Sequence, residues 1–117
     1  MELNYLKDFF DIFFADLIIS FVTILLFFMQ KKQINSIVGY RTSNSMKNQR
    51  NWDFAQKFYF RYWLLAIPLV ILFQITLLFI FQIDNTGLIE TLSMVLFFTY
   101  SIILIFITER KLKKLTP

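Results

Sequence analysis

Residues 12–29 read IFFADLIISFVTILLFFM, an almost unbroken apolar stretch with one acid, Asp16, inside it. At 18 residues it is long enough to cross the hydrocarbon core of a bilayer, which takes about 17–25 helical residues. Two further runs follow. Trp63–Phe81 reads WLLAIPLVILFQITLLFIF and Leu88–Thr108 reads LIETLSMVLFFTYSIILIFIT. Each is bracketed by charged residues. Together they predict an all-α membrane protein, a single membrane domain over 1–117 with spans near 12–29, 63–81 and 88–108.

The composition of the whole 117-residue chain agrees. Hydrophobic residues make up 57%, against roughly 45–50% in soluble domains. Phe occurs 16 times, and Gly and Pro twice each, so a turn-rich β fold is ruled out. A soluble chain this short has too little interior for that much apolar surface. With no Cys and no His, thiol nucleophiles, Ser-His-Asp triads and the usual zinc sites are excluded. The two glycines, Gly39 and Gly87, are too far apart for a phosphate-cradling loop. The remaining carboxylates are scattered and no nucleophile–base pair is visible. The reading is therefore not an enzyme, with no cofactor and no metal.

Could the first run be a cleaved leader? Its leading segment, MELNYLKDFFD, is acidic rather than basic, and Gln30-Lys31-Lys32 follows where small residues would mark a cleavage site. A retained span is the expectation. Of the twelve Lys and Arg, only Lys7 precedes the first run, and none lies in the Gln82–Gly87 connection. The other eleven fall in the loop between runs one and two or after run three. The positive-inside rule then places the N-terminus outside and the long loop and C-terminus in the cytoplasm. Glu2, Asp8, Asp11, Asp84 and Glu90 collect at the opposite, outer face. The net charge of +4 reads as orientation and contact with anionic membrane lipids, not nucleic acid. Tyr59, Tyr62 and Trp63 at the inner side, and Tyr5 with Phe9-Phe10 at the outer, read as aromatic belts.

Residues 31–58, KKQINSIVGYRTSNSMKNQRNWDFAQKF, are too long and too mixed for a plain connector. Gly39 can supply a turn. Ser43, Asn44 and Ser45 are good N-cap residues, so a helix is expected to start there and continue into the second span. On that helix Trp52, Ala55, Tyr59, Tyr62 and Trp63 share one face, and Lys47, Arg50, Lys57 and Arg61 the opposite one. This predicts an amphipathic juxtamembrane segment. The fork-shaped guanidinium of Arg41 suits a bidentate contact that Lys cannot copy. Arg41, Asn48 and Trp52 are expected to form one connected cap, with Arg41 folding back towards the helix.

Gly39-Tyr40-Arg41-Thr42, then Ser45-Met46-Lys47-Asn48, then Asn51-Trp52 with Ala55-Gln56 behind, resemble the signature of the SdpI family. These are bacterial membrane proteins named after an immunity protein against a secreted toxin. The chain departs from the pattern at Ser43, where Pro is common, and is little more than the family core in length. The resemblance implies a multi-pass protein of the bacterial cytoplasmic membrane that protects against a membrane-active peptide toxin. Its motif residues would be Gly39, Tyr40, Arg41, Thr42, Ser45, Asn48 and Trp52.

Inside the spans, Asp16, Ser20 and Thr23 form a stripe, as do Glu90, Ser93, Ser101 and Thr108. Counted from the outer ends of their runs, Asp16 and Gln74 both lie about 9–12 Å deep and could meet. Polar groups at such depth normally face a bundle interior. They are either interhelical glue, with Asp16 neutral or hydrogen-bonded, or the lining of an outward-facing pocket for a peptide, ion or proton. Pro68 withholds an N–H from the Leu64 carbonyl, which would need a neighbouring helix or water. Two other roles compete with immunity. One is an accessory or structural subunit of a larger membrane complex, with oligomerisation or a partner membrane protein covering the Phe-rich faces. The other is a transporter-like proton relay through Asp16 and Glu90. Reporter fusions should show residue 117 on the cytoplasmic side and the Asp84–Gly87 turn outside; an extracellular C-terminus would reverse the assignment.

Overall fold

The computed structural model describes residues 2–116, except for the side chains of residues 2–6, 8 and 9. The readings placed on Glu2, Tyr5, Asp8 and Phe9 fall on side chains outside that description. Three antiparallel rods make up the chain. The first is α1 (Glu2–Met29). The second joins α2 (Gln49–Trp63) and α3 (Ala66–Ile75), ending in a π turn at Thr76–Ile80. The third is α4 (Thr86–Leu115). Phe10–Met29, Gln49–Ile80 and Thr86–Leu115 are each long and apolar enough to cross a membrane. The long loop and residue 116 share one end of the bundle; the 81–85 turn lies at the other. The long axis measures 57 Å, more than the roughly 40–45 Å of a bilayer with its headgroups. The chain is therefore longer than the bilayer is thick.

Outside the amphipathic α2 the rods are apolar on nearly every side, because most of that surface meets lipid. Phe14, Leu17 and Phe21 on α1 are exposed, as are Phe98 and Phe106 on α4. The inward stripe of α1 is Ile12, Asp16 and Thr23, with Ser20 half-buried. Two clusters hold the rods together. Ile12, Leu77, Leu78 and Ile89 pack near the short turn. Tyr40, Ala55, Tyr59, Phe60, Leu104 and Leu112 pack at the loop end.

The hydroxyls on the inward stripes act differently from cross-helix glue. Thr23, Ser93 and Thr108 each donate to the carbonyl four residues back in their own helix, at 2.8, 2.6 and 2.7 Å. Self-satisfied, these small side chains let helices approach without owing a bond to a neighbour. Ser101 also donates to its own helix, but accepts from the Trp63 indole N–H at 2.9 Å. Tyr59 and Trp63 are thus packing groups between α2 and α4. Tyr62 is the exposed member of the aromatic trio, and its carbonyl accepts from Tyr100. Glu90 likewise leaves its stripe and is exposed.

Two local expectations are corrected. The helix does not start at Ser43–Ser45. Its N-cap is Asn48, whose Oδ1 accepts from Asn51 N–H at 2.8 Å. Residues 42–46 instead close a turn in which Met46 N–H donates to the Thr42 carbonyl at 3.0 Å. At Pro68 the Leu64 carbonyl is met from within its own rod, where the Ile67 N–H reaches it at 3.2 Å. One tightened turn absorbs the missing donor and divides α2 from α3. At the far end Phe81 N–H bonds to Thr76 O, and Gln82 takes a left-handed φ of 51° before Asn85 caps α4. Asn48→Ala should lower stability by about 1 kcal/mol, the usual worth of an N-cap, whereas Ser43→Ala should leave the thermal unfolding midpoint in detergent unchanged.

Candidate functional site

The loop between α1 and α2 is a folded cap seated on α2 and α4. It turns on Gly39, whose φ of +107° is one that side chains rarely adopt. A Cβ there would also stand 2.6 Å from Gln56 Oε1 and 3.3 Å from the Trp52 ring. The next residue, Tyr40, is buried, and its backbone is held on both sides by one side chain. Gln56 Oε1 accepts from Tyr40 N–H and Gln56 Nε2 donates to the Tyr40 carbonyl, both at 2.8 Å. Gln56 is itself buried, so the chain is pinned where water cannot compete for either bond.

Ser45, fully buried, closes the following turn. Its Oγ accepts from Thr42 N–H at 2.8 Å and lies 2.9 Å from the Thr42 carbonyl and 3.2 Å from that of Tyr40. Thr42 Oγ1 accepts in return from Ser45 N–H at 3.2 Å. The cap then reaches α4 through Glu109. One carboxylate oxygen accepts from the Tyr40 hydroxyl and the other from Asn44 Nδ2, each at 2.7 Å. Burial first, and then the Glu109 carboxylate, push the Tyr40 phenol above its ordinary range, so it remains a donor.

A second polar cluster ties the start of α2 to the end of α4. Asn51, buried, donates to the Asn44 carbonyl at 2.8 Å and accepts from the Thr116 hydroxyl at 2.8 Å. Asn48 Nδ2 reaches the same hydroxyl at 3.3 Å. Arg50 hydrogen-bonds to the Leu115 carbonyl, in the last turn of α4. Trp52 is fully buried and its indole N–H donates to Lys31 O at 3.0 Å, fixing the exit from α1. Gln49 donates to Lys32 O at 2.6 Å beside it.

The structure thus brings Gly39, Tyr40, Thr42, Ser45, Asn48 and Trp52 into one network, but Arg41 stands apart. Its side chain is exposed, and among the described residues its bond is from Nε to the Asn35 carbonyl at 3.2 Å. The guanidinium does not fold back to the helix, because Gln56 and Ser45 already occupy the inward side of the turn. The sequence reading placed Asn51 and Gln56 in the motif stretch and Asn44 among the N-cap candidates, but counted none of them, nor Glu109, among the site residues. Two further signals were available. Gln56 lies four after Trp52, on the same face of the helix. Glu109 is a lone acid among the basic residues of the tail.

Within the spans, Gln74 Nε2 donates to Asp16 Oδ1 at 2.9 Å. Both side chains are buried. They border a cavity of about 290 Å³ between α1, α3 and α4, which Ser20, Glu90 and Ser93 also line. Among the described residues no group of acids is placed to hold a metal ion.

A family model described as the SdpI/YfhL protein family matches residues 31–109, 79 of the 117. No curated protein matches, and no solved structure matches. The matched segment opens at Lys31, whose carbonyl holds Trp52, and ends at Glu109, whose carboxylate holds Tyr40 and Asn44.

Gln56→Leu leaves the Tyr40 N–H buried and unpaired, a loss of ~1–3 kcal/mol, and leaves the Tyr40 carbonyl with Ser45 Oγ alone. Its unfolding midpoint in detergent should fall sharply, and Gly39→Ala should fall with it. Arg41→Lys should behave like the unaltered protein, since a single exposed bond to Asn35 is all that changes; equal damage from all three would contradict the geometry.

Proposed function

Since this chain belongs to the SdpI/YfhL protein family, we propose that it is an immunity-type multi-pass protein which protects a bacterial cell from a membrane-active peptide toxin. One observation supports this reading above the others. The matched residues coincide with a folded, buried cap and with the two rods that carry it, rather than with a stretch of generic apolar helix. A connector between spans has no need of a buried glutamine, a buried asparagine and a carboxylate shared between the loop and α4.

The proposed setting is the cytoplasmic membrane, with the N-terminus outside and the cap and C-terminus in the cytoplasm. Lys47, Arg50, Lys57 and Arg61 are exposed around the cap. Lys111 also sits 5.4 Å from the centre of the Phe58 ring. That ring of charge would rest on anionic headgroups at the inner leaflet. The toxin, acting from outside, would meet the short-turn end and the apolar flanks of the rods. No catalytic step is part of this reading.

Deletion of the gene should sensitise cells to a membrane-active peptide produced by the same or a sister strain. Plasmid-borne protein should restore survival by at least tenfold, and Gln56→Leu should restore it poorly at equal protein level. Unchanged survival of the deletion strain against every such peptide tested would remove the immunity role and leave the accessory-subunit reading.

A further inference from the structure

Asp16 is the least accountable residue in the bundle. It is only 6% exposed, and while Oδ1 accepts from Gln74, Oδ2 is buried with no hydrogen-bond partner. A buried carboxyl oxygen without a partner is costly in any protein, and more so at membrane depth. Asp16 borders the cavity between α1, α3 and α4; Oδ2 itself is sealed from water, and a rotation of the carboxyl group can bring it to that wall, where a ligand supplies the missing donor.

The lining narrows the chemistry of that donor. Among the described residues that line it, Asp16 and Glu90 are the charged ones, both acidic, and there is no Lys or Arg. Glu90 is exposed near the start of α4, which puts it at the mouth. Ser93 commits its hydroxyl proton to Ile89 O and Gln74 Nε2 donates to Asp16 Oδ1, so Asp16 Oδ2, Gln74 Oε1 and the Glu90 carboxylate remain as acceptors around the cavity. Most of the remaining wall is apolar, with Val70 and Phe97 among it. Such a wall disfavours a hydrated inorganic ion, which would have to shed water against carbon. It favours a cation that brings its own apolar body.

We propose that this cavity binds an ammonium group on an apolar stem, with Asp16 Oδ2 accepting its hydrogen bond. Glu90 draws the positive charge to the mouth. At water's share of ~30 Å³ per molecule, about 290 Å³ admits a ligand of roughly ten non-hydrogen atoms. A free alkylamine of that length has this chemistry, and so does a lysine side chain on a membrane-inserted peptide. The inference does not depend on the protective role. Its central residue, Asp16 on α1, lies outside the family-matched residues, while the α3 and α4 walls lie within them, and it would hold for a protein with another task.

The test uses the full chain in nanodiscs of zwitterionic lipid. It is titrated with fluorine-labelled octylammonium, octanol and octanoate, and empty discs correct for partition into lipid. Fluorine NMR should show octylammonium saturating at one per chain and binding at least tenfold more tightly than octanol, with octanoate not binding. Asp16→Asn should lose at least tenfold in octylammonium affinity. Its amide still pairs with Gln74, so the unfolding midpoint should stay close to the original. Ser20→Leu fills the cavity and leaves the carboxyl in place; it should lose binding too, and it decides the matter if Asp16→Asn does not fold. Octylammonium binding no tighter than octanol, or unchanged in the variants, overturns the proposal. A spanning oligoleucine peptide with one lysine, set against its norleucine twin, identifies the source. Displacement of octylammonium by the lysine peptide alone assigns the site to a peptide side chain, and failure of both to displace it assigns the site to a free amine.

Discussion

Gln56 bonds to both the N–H and the carbonyl of Tyr40 in a place that water does not reach, and the arrangement of the loop end follows from that pair. For the glutamine to reach, the loop must pass directly over α2, and only a residue without a Cβ can make the preceding bend. With the Tyr40 backbone fixed, its ring drops against Tyr59, the two centroids 4.8 Å apart. Its hydroxyl is then delivered to Glu109 on α4. Ser45 and Asn44 are positioned by the same turn. Removing the clamp would not cost a single contact but the reason for several.

Lipid explains the rest of the architecture by a different rule. Water-soluble helices segregate apolar from polar faces; these rods expose Phe, Leu and Ile on nearly every side. What distinguishes their inward faces is small size and self-satisfied hydroxyls, as at Thr23, Ser93 and Thr108. Apolar burial cannot drive association where the solvent is itself apolar. Close packing and a few definite polar bonds take over. Asp16–Gln74 and Trp63–Ser101 are the two such side-chain pairs that join helices inside the spans, among the described residues.

The three rods were legible because length and hydropathy alone decide them, and residues 12–29, 63–81 and 88–108 all lie within helices or their immediate ends. The family was legible from the spacing of Gly39, Asn48 and Trp52. Less of the cap could be read. Ser43, Asn44 and Ser45 each have the chemistry of an N-cap, and so does Asn48; local propensity cannot rank four candidates when tertiary bonds claim Asn44 and Ser45 first. Arg41 drew attention by its charge, while Gln56, neutral and inconspicuous, holds the turn. Glu109 could not be linked to Tyr40 from sequence, because 69 positions separate them and only the antiparallel return of α4 brings them together.

The Asp16–Gln74 pair also bears on how the protein is made. Partners 58 positions apart in the chain are synthesised at different times. At about 5–20 residues per second, roughly 3–12 s pass between them. During that interval the first rod enters the membrane with its carboxyl group unmatched, while its Thr23 hydroxyl already has a carbonyl in its own helix. The first rod is therefore the one whose insertion is least secure by itself, and the arrival of the second gives the acid its partner. Assembly in the membrane is in this way given an order: α1 waits, α3 locks it, and α4 closes over both.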